Sequence, residues 1–278
     1  MPESIFTLDE RGRYLPTENA RGPWDPGALH GGAPAALITA MLEETPDTQL
    51  PFARLSFSFL RPIPMAPLTL TTRVTRPGRR VQELEAELCC DEVPVCRAHA
   101  LAIQPAPSQL PDLAAAEDGH EQLPGPQHGQ PVDFSLERSQ HASFAASAIE
   151  MRFLSGHPLG GELPQSGRAA QHAPSGHAQV WMRLRHPLVP GQQPSPLARL
   201  VAAADFGNGV AAALPFDRYV FINADLQVWL ERRPQGQWIA LDSRTLIEPA
   251  GIAWARSVLH DERGRVGVAT QALVVQPR

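Results

Sequence analysis

From Gly32 to Glu44 the chain is small and apolar at almost every position, which predicts a helix buried on all sides. A strand pattern follows over Phe52–Leu60, then a meander: Leu68–Thr75, a turn at Pro77-Gly78, Val81–Cys90, a turn at Asp91–Pro94, and Val95–Ile103. The same succession returns later. An apolar, glycine-interrupted helix is predicted over Pro196–Ala213 and a strand over Tyr219–Leu230. The second meander has strands at Trp238–Leu246, Ile252–His260 and Arg265–Val275, with turns at Pro249–Gly251 and Asp261–Gly264. Pro62 and Pro234 hold corresponding places, as do Gln104-Pro105 and Gln276-Pro277, with no gap between these anchors. Short strands at Ser4–Leu8 and His177–Leu184 precede the two helices, and "FAASAIEMRF" over Phe144–Phe153 suggests one more strand.

The pattern divides the chain into a unit over 1–104, a linker over 105–140 that opens with the Pro-, Gln- and Ala-rich run 105–130, and a unit over 141–278. The Gly-, Pro- and His-rich stretch 154–176 reads as a long loop. Of 278 residues, 43% are hydrophobic and 19% charged, so each unit can bury a core. The net charge of -5 argues against a nucleic-acid partner. Cys89, Cys90 and Cys96 show no metal-ligand spacing, so no metal is expected, and they read as reduced thiols of a cytoplasmic protein. The first residues carry no apolar signal core, and no stretch is long enough to span a membrane.

Several polar residues interrupt the apolar runs. His30-Gly31-Gly32 opens the first helix, where free N–H groups without side chains can bind a carbonyl oxygen that gains charge. The other reading is a tight turn with close helix–sheet packing. Asp205 sits among alanines in the second helix; it is either a functional carboxylate or a residue on an exposed face or at a break before Gly207 and Gly209. Asn223 tops a strand or donates to a carboxylate. Gln271 shares its facing with Ala269, Leu273 and Val275; if Leu273 and Val275 face the helix, so does it, and it then needs a partner, the other reading being a solvent-facing residue on an edge. On one continuous strand Asp225 would point the same way as Asn223. His172 and His177 flank the long loop with no ligand cluster beside them. Arg61, Arg79, Arg80, Arg232 and Arg233 near turns could meet phosphates. There is no P-loop and no dinucleotide fingerprint.

One apolar helix and an antiparallel meander, in duplicate, give an α+β chain. In "GPWDPGALHGGAPAALITAMLE", "FSFLRPIPMAPLTLTTRV", "PLARLVAAADFGNGV", "FINADLQVWLERRP" and "DERGRVGVATQALV" it resembles the acyl-CoA thioesterase II-like, double-hotdog superfamily. That resemblance implies a double hotdog that hydrolyses an acyl-CoA to free acid and CoA without a cofactor. It implies a water held by Asp205, Asn223 and Gln271, with asparagine standing where the founding enzymes commonly have threonine. His30, Gly31 and Gly32 would face that trio as the carbonyl-binding side. The acid that single-hotdog enzymes carry farther along the first helix is missing, with Thr39 and Ala40 near its place, so one site per chain is expected. The resemblance also implies a homo-oligomer, a dimer or larger. Two other classes stay open: a hotdog hydratase-dehydratase acting on enoyl or 3-hydroxyacyl thioesters, for which His30 would have to cross over, and a non-catalytic acyl-thioester-binding protein.

Overall fold

A computed structural model describes residues 4–48, 50–105, 122–132, 142–156, 175–216 and 218–278. Most of the expected linker and of the 154–176 loop, with His172, lies outside the described residues. The strands are β1 (Phe6–Leu8), β2 (Tyr14–Pro16), β3 (Phe52–Phe59), β4 (Leu68–Arg76), β5 (Val81–Cys90), β6 (Val93–Ile103), β7 (Gln130–Val132), β8 (Ile149–Ser155), β9 (His177–Leu184), β10 (Tyr219–Asn223), β11 (Asp225–Leu230), β12 (Trp238–Ile247), β13 (Ile252–Asp261) and β14 (Gly264–Pro277). The helices are α1 (Gly32–Glu43), α2 (Pro196–Ala204) and α3 (Gly207–Val210).

All strands join one antiparallel sheet in the order β1-β2-β4-β5-β6-β3-β11-β14-β13-β12-β9-β8-β7, and β10 pairs with β14 beside β11. Read inward from β2 and from β9, the order is β2-β4-β5-β6-β3 on one side and β9-β12-β13-β14-β11 on the other. The seam is β3 on β11, from Asp225 opposite Ser58 to Trp229 opposite Arg54.

The helices form where the apolar runs predict them. Pro34 sits in the first turn of α1, where its missing N–H costs nothing. Ala33, Ala35, Ala36, Leu37, Ile38 and Leu42 are all buried, because α1 lies between the sheet and α2. Ser195 caps α2 by accepting the Ala198 N–H at 3.0 Å, and Pro196 follows at the first helical position. No helix among the described residues is long and apolar enough to cross a membrane.

Four expectations need correction. The helix expected over Pro196–Ala213 ends at Ala204; Asp205 and Phe206 form a turn, and the short α3 follows. The strand expected over Tyr219–Leu230 is two strands: Asn223 opposes Leu273 whereas Gln227 opposes Thr270, a one-residue slip around Ala224. Such a bulge re-aims the side chains on either side of it. Phe144–Ala148 is a wide helical turn, and only Ile149–Ser155 is strand, because Ser143 accepts the Ala146 N–H and closes the turn. The turn expected over Asp91–Pro94 shrinks to Asp91-Glu92, both at positive φ (46° and 65°), as a right-twisted two-residue hairpin requires.

Candidate active site

Asp205 sits where α2 breaks, and the break turns its carboxylate toward α1 and β10. Its side chain is 2% exposed. Asn223, at the end of β10, donates Nδ2–H to Asp205 Oδ1 at 2.8 Å. Gln271, facing inward on β14, donates from Nε2 to the Asp205 carbonyl oxygen at 2.9 Å and to Oδ1 at 3.2 Å, and its Oε1 accepts the Asn208 N–H at 3.1 Å. Two amides thus hold one carboxylate oxygen, while the other meets His30 Nδ1 at 3.0 Å. The residues come from four elements separated widely in sequence, and the carboxylate is nearly sealed from water, so these bonds carry the cost of burying it.

His30 Nδ1 also lies 3.1 Å from the Gly32 N–H. One nitrogen cannot accept from Gly32 and carry a proton for Asp205. Nδ1 therefore either donates to Asp205 or accepts from Gly32, not both at once. The imidazole is fixed by stacking on Phe206 (4.3 Å between centroids, 28°) and by Phe144 at 5.1 Å.

The two glycines have different work. A Cβ on Gly31 would stand 2.9 Å from Asp205 Oδ2 and 3.1 Å from Phe59 Cζ, so a bare Cα is what lets the carboxylate approach. Among the described residues the Gly31 N–H has no acceptor, and Gly31 lines the cavity beside Asp205. The Gly32 N–H lies against His30 Nδ1, and a Cβ there would meet the Ala202 carbonyl oxygen at 2.7 Å. Gly32 is therefore a packing position between α1 and α2, and Gly31 is the open donor.

Over the site lies a cavity of about 930 Å³, lined among others by Trp24, Phe59, Phe206, Phe216, Phe221 and Val274. Trp24 stacks on Phe216 (5.0 Å, 19°) and lies 6.5 Å from Phe221, joining the 22–30 loop to β10 and the residues before it. Arg21, Arg61 and Arg278 add charge to the lining. Of the five arginines singled out in the sequence, Arg61 alone lines this cavity.

Asp225 stands apart. The bulge at Ala224 sends its Oδ1 to the Ala272 N–H at 2.7 Å, where it replaces a ladder bond. His177 pairs with Asp242 at 2.8 Å. Among the described residues no cluster of His, Cys, Asp and Glu could hold a metal ion. Burial pushes the Cys96 thiol up to about 12, and the charge of Asp205 adds to the effect. Asn208 and the Trp24–Phe216 wall were not foreseen. Asn208 was within reach of sequence reasoning, since it follows Asp205 by three residues on a helical run and so shares its face. The aromatic wall was not, because only the fold brings residues 24 and 216 together.

Comparison with known proteins adds the family. The profile of the acyl-CoA thioesterase N-terminal domain matches residues 20–103, and that of the acyl-CoA thioesterase C-terminal domain matches residues 111–275. No curated protein sequence gives a match. Among solved structures the chain is similar to a hotdog-fold protein of unknown function from Alicyclobacillus acidocaldarius (TM-score 0.70, 16% identity, 98% of this chain and 95% of that one). It is also similar to a candidate thioesterase II from Thermobifida fusca (0.69, 19%, 98% and 95%) and to the acyl-CoA thioesterase II TesB2 of Mycobacterium marinum (0.63, 16%, 94% and 96%). These likenesses identify the hotdog fold. With its two domain profiles matched over most of its length, the chain belongs to the acyl-CoA thioesterase family.

Proposed function

We propose that the protein hydrolyses an acyl-CoA thioester to free acid and CoA, using a water activated by Asp205. The observation that carries this reading is the convergence of the Asp205 carboxylate, the Asn223 and Gln271 amides and the Gly31 N–H at one cavity. Asn223 and Gln271 occupy Oδ1, which leaves a lone pair of Oδ2 for the water. The water oxygen bonds to the thioester carbon as its proton passes to Asp205. The Gly31 N–H, at the positive end of α1, donates a hydrogen bond to the developing oxyanion. The C–S bond then breaks, and the CoA sulfur takes the proton back from Asp205. These steps draw on no metal and no redox cofactor. We read the two matching strand successions as two hotdog repeats, one supplying the carbonyl-binding side and the other the water-activating side.

The experiment is free-thiol release from short, medium and long acyl-CoAs by wild type and Asp205→Asn. The reading requires that wild type hydrolyse at least one, and that the folded variant lose about 10²–10⁴ of the rate. No thiol release from any member would refute it. One observation favours a second reading: His30 crosses over from the first unit to pair with Asp205 at 3.0 Å, as an Asp/His hydratase-dehydratase needs. A hydratase consumes the conjugated enoyl thioester without releasing thiol, so absorbance and thiol assays on one enoyl-CoA separate the two.

A further inference from the structure

The outer face of the sheet turns a run of large apolar side chains to solvent. Leu246 on β12, Ile252 and Trp254 on β13, Val274 on β14 and Ile222 on β10 are each 43% to 74% exposed. The register makes them neighbours: Trp254 lies opposite Leu246 and Ala272, and Val274 lies opposite both Ile252 and Ile222. Together they expose roughly 500 Å² of mostly apolar surface, at the upper end of what a monomer shows. Charge flanks this patch on both sides. Arg244 and Arg256 stand directly opposite each other across β12 and β13, both exposed, a like-charge pair that disfavours the isolated sheet. Glu248, just past β12, is exposed too, and its N–H donates to the Ile252 carbonyl oxygen at 3.0 Å, which continues the ladder. Among the described residues none of these three side chains makes an ion pair.

Residues two apart on a strand face the same way, so Arg244, Leu246 and Glu248 form one outward row, a cation and an anion on either side of a leucine. We propose that this face is a twofold interface between two copies of the chain, with its axis running across the strands through Leu246 and Trp254. A twofold there reverses the row, so Arg244 of each copy meets Glu248 of the other. Leu246 and Trp254 meet their own counterparts at the centre, and the stem of Arg256 lies over Ile252 of the second copy. An isologous contact needs a surface complementary to itself, and this row is. An axis along the strands between β12 and β13 would instead set Arg244 against Arg256, so charge selects the first arrangement. With its flanking charged residues the patch approaches the ~800 Å² per partner of a standard stable interface, and tryptophan and arginine are residues such interfaces favour.

The test is sedimentation equilibrium of the full chain from about 1 to 100 µM, with circular dichroism to check the fold. We expect wild type to be a dimer and Trp254→Glu to be a folded monomer. Arg244→Glu and Glu248→Arg should each weaken dimerisation about tenfold or more, since each sets like charges face to face twice, and the double variant should return to near wild type. That rescue is a result a merely disturbed surface would not give. Wild type that stays monomeric overturns the proposal; if it then sediments with phosphatidylglycerol vesicles, the patch serves a lipid surface instead. A dimer indifferent to Trp254→Glu, or a double variant as weak as the single ones, overturns it too, by placing the contact on another face or in another register. None of these outcomes depends on thiol release, so the interface and the thioesterase reading fail separately.

Discussion

At the scale of single residues, the Asp205 carboxylate is held at both oxygens and approached closely by the Gly31 Cα. A methyl at Gly31 would push against Oδ2, the oxygen that the proposed mechanism gives to the water, while the position itself has ordinary helical φ. Gly31→Ala is therefore expected to lower kcat by about tenfold or more while the melting temperature stays near wild type, a split read by thiol release and thermal unfolding on the same sample. Asn223 gives Asp205 its shortest side-chain hydrogen bond, donated from Nδ2. Cys96 lies fully buried with its thiol pushed up to about 12, so it stays protonated and shielded. Iodoacetamide labelling followed by mass spectrometry is expected to leave Cys96 unmodified in the native protein and to modify it in denaturant.

At the scale of elements, the site exists because two elements are interrupted. An unbroken α2 would carry Asp205 along the helix axis direction, and the break at Asp205-Phe206 swings α3 against β13 and β14 instead. An unbroken strand through Ala224 would turn Asn223 and Asp225 to one face; the bulge sends Asn223 to the carboxylate and Asp225 to the Ala272 N–H. The α1–α2 contact depends on Gly32, whose added Cβ would meet backbone, which cannot rotate away as a side chain can. Gly32→Ala is expected to destabilise the protein by about 1–3 kcal/mol, as overpacked core sites do, measured as a fall in the denaturant midpoint with an unchanged slope.

At the scale of the molecule, the two parts of the sheet join across β3 and β11, and the earlier and later parts of the chain also meet through charged and polar contacts at the far end of α1. Glu43 accepts a hydrogen bond from Ser195, the cap of α2, and lies 3.8 Å from Arg233. Burial raises its carboxyl above the ordinary value of 4.5, with the Ser195 bond and Arg233 opposing. The folded state then holds a proton that the unfolded chain has released. The stability this gives is full below pH 4.5 and is lost as the pH rises through the folded value. Glu43→Gln should remove that slope, so the difference in melting temperature between variant and wild type should move in the variant's favour from about pH 4 to 7. A difference that does not change with pH would show that the contact carries no proton linkage.

Much of the architecture was legible along the chain. The apolar period and the turn residues placed α1, β5, β9 and the meanders within a residue or two, because burial of one face writes its period directly into the sequence. Asp205 and Gln271 were legible as candidates for a related reason: a polar residue in an apolar run needs a partner. Their grouping with Asn223 came only from the family resemblance, and the His30–Asp205 contact was not read at all, since a hydrogen bond between residues as distant as 30 and 205 leaves no local pattern. The break at Asp205 was legible only as one alternative, from Gly207 and Gly209, and the bulge was not legible; each costs local regularity and is repaid only by contacts across the fold. The chain by itself determined which segments are buried and which polar residues must be satisfied; the tertiary structure alone decided that His30, Asp205, Asn223 and Gln271 satisfy one another, because long-range pairing is set by the register of strands and helices in three dimensions.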